Sequence, residues 1–139
     1  MLSQPQIDSI IEEIKQVKGV QGILLTGSYI YGKPTDESDL DIRMVTTDFS
    51  KDDRNCIRFS TRIEAFYNTP NEVRNYFHIA WETGDEPVIN FWRRGKIVYD
   101  PNGVVTLLQK EAEKLWNQGP KKREWKTRDE YRDKMKNRK

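Results

Sequence analysis

Residues 22–45 read GILLTGSYIYGKPTDESDLDIRMV. An apolar run ends in Gly27 and Ser28, and after a polar turn Asp39, Leu40 and Asp41 open a second apolar run. Side chains along a strand alternate between its faces, so Asp39 and Asp41 share one face while Leu40 and Ile42 point into a core. Two adjacent carboxylates repel unless a cation lies between them. Magnesium takes oxygen ligands, often one or two carboxylates completed by substrate phosphates. Gly27 allows the backbone to approach a phosphate closely. The exposed N–H groups of a helix starting at Ser28 favour an anion, and the Ser28 hydroxyl adds a donor. Gly32 lets the chain turn back toward Asp39, and Lys33 supplies a positive charge beside the loop. The pattern is suited to a nucleoside triphosphate with its magnesium. It has the spacing of neither a Walker A loop nor a dinucleotide fingerprint.

A third carboxylate is expected on a neighbouring strand. Glu64, in Arg62-Ile63-Glu64-Ala65-Phe66, is the only acid inside the third apolar stretch. An acid flanked by apolar residues is costly without a partner. Here it could ligate a metal and accept a proton from an incoming hydroxyl. Asp36, Asp48, Asp52 and Asp53 fall in turns and read as solvated.

The elements that must position these groups follow from periodicity. Ile7, Ile10, Ile11, Ile14 and Val17 recur at helical spacing, with Pro5 suited to a first turn and Lys18-Gly19 to an end. Residues 22–26 and 40–46 read as buried strands flanking the polar turn 33–38. Residues 59–67 read as a third strand, stopped by Asn68-Thr69-Pro70. Residues 70–92 read as helical with a break near Gly84. Residues 96–99 make a brief fourth strand closed by the turn 100–103. Residues 104–116 form a helix with Val105, Leu108, Ala112 and Leu115 on one side. This mixed order predicts an α/β (α+β) domain, a small mixed sheet of about four strands flanked by helices. There is no internal repeat.

A chain of 139 residues suggests one domain, large enough to fold without disulfides or structural metals. The single cysteine, Cys56, cannot form an internal bridge, which favours a reducing compartment. No run approaches membrane-spanning length, and the N-terminus lacks a signal-peptide pattern. The expectation is a soluble, cytoplasmic protein. Residues 119–139 hold ten Lys or Arg against four acids, a net +6, so with a chain total of +2 residues 1–118 carry −4. The expected organisation is a catalytic domain over residues 1–118 and a basic, helical C-terminal tail over 119–139. The acidic body argues against a nucleic-acid surface across the domain and leaves room for one in the tail.

Gly27, Ser28, Asp39, Asp41 and Glu64 together resemble the signature of the DNA polymerase β-like nucleotidyltransferase superfamily. That signature is a Gly-Ser pair, about ten residues, a D-x-D or D-x-E, and a third acid on a later strand. The chain is similar to small bacterial members, the minimal nucleotidyltransferases and the N-terminal domain of kanamycin-type enzymes. Residues 95–101, GKIVYDP, resemble the last strand and turn of that fold. The resemblance covers roughly residues 7–116. It implies that a nucleoside triphosphate (ATP or another) binds over Gly27 and Ser28, with Gly32 and Lys33 nearby. Asp39 and Asp41 would hold two magnesium ions, and Glu64 would help ligate one and activate an acceptor hydroxyl. A nucleoside monophosphate, AMP the leading candidate, would be transferred and pyrophosphate released. Many minimal members carry an Arg before the second glycine of the loop, where this chain has Tyr31. Antibiotic-modifying members carry a further helical domain that shapes the acceptor pocket. Without it, the acceptor site is expected to be absent, shared across a homodimer, or supplied by a partner protein.

The remaining conspicuous residues have plainer readings. His78, the only histidine, reads as a packed or surface helical residue. Cys56 reads as a small buried filler. Trp81, Trp92 and Trp116 read as core or interface anchors. Two alternatives to an enzyme acting on a small-molecule or protein hydroxyl accompany this reading. One is an antitoxin-like minimal nucleotidyltransferase that binds or modifies a HEPN-type partner. The other is a non-catalytic relic whose tail contacts nucleic acid.

Overall fold

The computed structural model describes residues 1–47 and 63–121. The elements run α1 (Gln4–Lys15), β1 (Val20–Thr26), α2 (Ser28–Tyr31), β2 (Leu40–Thr46), β3 (Ile63–Asn68), α3 (Pro70–Thr83), α4 (Pro87–Arg94), β4 (Lys96–Tyr99) and α5 (Val104–Gln118). The four described strands form one mixed sheet in the order β3-β2-β1-β4. β1 is antiparallel to both β2 and β4, whereas β2 and β3 are parallel. A parallel pair needs a crossover, and here that connection falls largely in residues 48–62, outside the described set. Asp48, Asp52, Asp53, Cys56 and the expected strand start at 59–62 lie there too.

The helix ends follow local chemistry. Ser3 and Gln6 make a reciprocal capping box at α1, and Thr69 and Glu72 make another at α3, each with a proline in the first turn. The expected break near Gly84 is real. Gly84 takes the left-handed conformation (φ 77°) that ends α3, and Pro87 starts α4. Asp100 accepts hydrogen bonds from the Val105 and Thr106 amides at 2.9 and 2.8 Å, stitching β4 to the start of α5.

Two apolar layers sandwich the sheet. On one face Ile23, Leu25, Leu40, Ile42 and Met44 pack against Ile7, Ile11 and Ile14 of α1. On the other, Leu24 and Val45 meet Phe77 of α3, Ile89 and Trp92 of α4, and Leu108 of α5. Gly22 is where α5 comes closest: a Cβ there would lie 2.1 Å from Val105 Cγ2. Trp92 is buried, and Trp81 and Trp116 pack at the margin of the same core, as anchors should. Trp81 Nε1 donates to the Gly119 carbonyl at 2.8 Å, holding the chain after α5 against α3. The rest of the basic tail, residues 122–139, lies outside the described residues. No helix among the described residues is long and apolar enough to cross a membrane.

Candidate active site

β1 delivers its C-terminal end to the site. Gly27 follows Thr26 with φ 88°, a left-handed conformation that penalises any side chain. A Cβ on Gly27 would also stand 2.7 Å from Asp41 Oδ2, so the loop backbone lies directly on that carboxylate. Ser28 begins the one-turn helix α2, closed by Tyr31 N–H to Gly27 O at 3.2 Å and Gly32 N–H to Ser28 O at 3.1 Å. Gly32 itself is extended, and what it provides is space, since its Cβ would fall 3.3 Å from the Ser28 Cα. Lys33 is solvent-exposed just beyond it.

Register places the carboxylates. Thr26 pairs with Asp41 across β1–β2, and Asp41 pairs with Glu64 across β2–β3. Leu40 and Ile42, fully buried, face α1. Asp41 and Glu64 therefore occupy the opposite face, beneath the Gly27 loop, and Asp39, one residue before β2, is near enough for its charge to act on Asp41. Asp39 and Glu64 are exposed, while Asp41 is half-buried. Burial raises the Asp41 pKa to about 6, followed by the charge of Glu64; Arg43 opposes the rise, while a hydrogen bond with Glu64 and the charge of Asp39 add to it.

Arg43 escaped the sequence reading, although strand alternation already placed it on the Asp41 face. Its Nε donates to Thr26 Oγ1 at 3.1 Å, and its guanidinium lies over Phe66 at 4.5 Å and Phe91 at 5.5 Å. Burial lowers its pKa, with Asp41, Tyr31 and Glu64 holding it up. Tyr31, where a loop arginine was missing, turns its ring onto Phe91, with centroids 6.2 Å apart and planes 13° off parallel. Burial raises its phenol pKa, against the pull of the Gly27 amide and Arg43. The Arg94 guanidinium of α4 also lies over that ring, at 4.3 Å.

Among the described residues no three His, Cys, Asp or Glu side chains close into a ready-made cation cage. The donor set nonetheless suits a hard divalent cation. It is all oxygen, and Asp41, half-buried beside the charges of Glu64 and Asp39, is a carboxylate whose ionised form a bound cation would favour. Substrate phosphates and water would have to complete the coordination. A cavity of about 590 Å³ lies elsewhere, between α1 and the β4 side of the sheet, and none of the three carboxylates lines it. His78, exposed on α3 with Nε2 3.2 Å from Glu82, stands away from the carboxylates. Asp36 is exposed near the N-terminus, as a turn acid should be.

The sequence pattern of the nucleotidyltransferase domain family matches residues 7–124. The chain belongs to that family. This nucleotidyltransferase has the family's mixed sheet with helices on both faces. Its fold is similar to a solved structure described as a toxin–antitoxin with AMP-PNP (TM-score 0.51, 16% identity, covering 84% of this chain and 89% of that one). It is also similar to a toxin–antitoxin MntA-HpeT mutant (TM-score 0.51, 14% identity, covering 84% and 88%). At these identities the likeness concerns the fold. No curated protein sequence shows significant similarity to this nucleotidyltransferase.

Proposed function

We propose that the chain transfers a nucleoside monophosphate, with AMP the leading candidate, from a nucleoside triphosphate to an acceptor hydroxyl, with magnesium as cofactor. The observation that supports this most directly is the cross-strand pairing of Asp41 with Glu64, directly under the Gly27 backbone. Asp39, Asp41 and Glu64 would hold two magnesium ions together with the substrate phosphates. Bound there, the ions would neutralise triphosphate charge and favour an ionised acceptor oxygen. The Ser28 hydroxyl and the first amides of α2 donate to phosphate oxygens. Gly27 keeps that backbone close enough to Asp41 for phosphate and carboxylate to share one site. Glu64, exposed at the rim, accepts the proton of the acceptor hydroxyl. The acceptor oxygen forms its bond to the α-phosphorus as the bond to the bridging oxygen breaks, and pyrophosphate leaves. Most of the rate enhancement in this scheme comes from positioning and charge neutralisation.

Equilibrium binding of each magnesium nucleotide, with a transfer assay against cell lysate, tests the reading. Asp39→Ala should abolish magnesium-dependent nucleotide affinity with the fold intact, and Glu64→Gln should lower transfer at least about a hundredfold. Unchanged affinity in Asp39→Ala would overturn it.

The acceptor is a separate question. Likeness to toxin–antitoxin structures favours a protein acceptor: the chain would act as an antitoxin that binds, and modifies at a hydroxyl, a helical HEPN-type partner. Co-purification with a protein that incorporates label from the nucleotide supports this reading. Labelling confined to small molecules excludes it.

A further inference from the structure

The loop from Gly27 to Gly32 contains no basic side chain, since Ser28, Tyr29, Ile30 and Tyr31 fill it. Its donors are neutral, yet the leaving half of a triphosphate carries most of the substrate's charge. Among the described residues, Arg43, Arg93 and Arg94 bear on this question. Arg43 is committed beneath the site to Thr26, Phe66 and Phe91. Arg93 points the other way, over the Trp116 ring at 4.4 Å and 4.0 Å from Glu113. Of these three, Arg94 is the exposed one, and it meets the loop at Tyr31. Its guanidinium lies 4.3 Å over the Tyr31 ring, and Nη2 stands 3.5 Å from the Tyr31 carbonyl.

The fold explains why a residue far along the chain arrives there. β4 runs antiparallel to β1 with Lys96 opposite Leu25, so residue 94 falls at the sheet end that carries Gly27. Arg94 is exposed, and among the described residues no carboxylate forms an ion pair with it. With Nη2 directed at the Tyr31 carbonyl, the other N–H groups of this exposed guanidinium are available to an anion, and a guanidinium fork can match two phosphate oxygens at once. Ser28 and Tyr31, three residues apart, are neighbours on one side of α2, so a cation held on Tyr31 stands beside Ser28.

We infer that Arg94 is a triphosphate-binding cation of this site, contacting the pyrophosphate half of the substrate from α4 in addition to any charge that the exposed Lys33 supplies beside the loop. This rests on the nucleotide-transfer reading above. Magnesium pyrophosphate is the probe that avoids any assumption about the base, with ATP and AMP as a second pair. Calorimetric titration of the full chain should show Arg94→Ala weakening pyrophosphate and ATP by roughly tenfold or more. AMP should change less than twofold, and the melting temperature should stay unchanged. Arg94→Lys, a point charge without the fork, should fall between. Equal weakening of ATP and AMP would mark a purely structural hold on the loop and overturn the inference. So would pyrophosphate affinity unchanged in Arg94→Ala while Asp39→Ala loses nucleotide. If the wild type binds neither pyrophosphate nor any magnesium nucleotide, the nucleotide-transfer reading itself fails, and this one with it.

Discussion

Asp41 and Glu64 stand opposite each other on adjacent parallel strands, so that each carboxyl group acts in the field of the other. Half-buried beside a second acid, Asp41 is held near pKa 6, where an isolated side chain titrates near 3.8. Such an arrangement stores repulsion that any bound cation relieves. It also makes the site measurable without knowing the acceptor.

The metal-free protein should lose stability as pH rises. Between the unfolded carboxyl pKa of 3.8 and the folded value of about 6, the native state binds the extra proton. Its contribution is therefore complete below pH 3.8 and lost as pH climbs through 6. Because the group is only half-buried, the effect should be about 1 kcal/mol. Urea titrations with chelator at pH 4.5 and 8 should show Asp41→Asn flattening the slope by that amount. An identical slope in the variant would refute the assignment.

Two glycines with positive φ should behave differently. Gly27 (φ 88°) and Gly103 (φ 77°) both sit in the left-handed region, but only at Gly27 would a Cβ strike a neighbour, whereas Gly103 has open space around it. Gly103→Ala should cost about 1 kcal/mol and leave nucleotide binding intact. Gly27→Ala should cost about 2 kcal/mol or more and eliminate binding, because Asp41 must move. Thermal melts paired with nucleotide titrations distinguish the two.

Arg43 should act on the site through Asp41 and not by touching substrate. Arg43→Ala removes the Thr26 hydrogen bond and the stack on Phe66 and Phe91, at about 2–3 kcal/mol of stability. It also removes the one positive charge that holds Asp41 down, so the Asp41 pKa should move above its present value of about 6. The midpoint of magnesium binding against pH should shift upward with it. Arg43→Lys should keep the midpoint while losing part of the stability. An alanine variant with an unmoved midpoint would show that Arg43 is only a packing residue.

Much of this molecule could be read locally. The strands at 40–46 and 96–99 and the helix break at Gly84 depend on residues within a few positions of one another, where alternation and capping act. The strand expected at 22–26 extends two residues further back, because Val20 pairs with Thr46 of β2 across a register shift at Gln21. Gly32, expected to let the chain turn, stands at a bend with extended φ and ψ and packs on Ser28 of its own loop.

The sequence by itself determined the chemistry on offer: a glycine-serine loop, a pair of aspartates one strand period apart, and a glutamate among apolar residues. Tertiary structure decided what those groups meet. Glu64 lands opposite Asp41 only through a parallel register set after a long connection. Arg43 becomes a buried brace only once Phe66 and Phe91 close over it, and Arg94 reaches Tyr31 only because β4 doubles back along β1. Side-chain alternation is a property of a few consecutive residues, whereas register between strands and the approach of a helix are fixed by burial summed over the whole core.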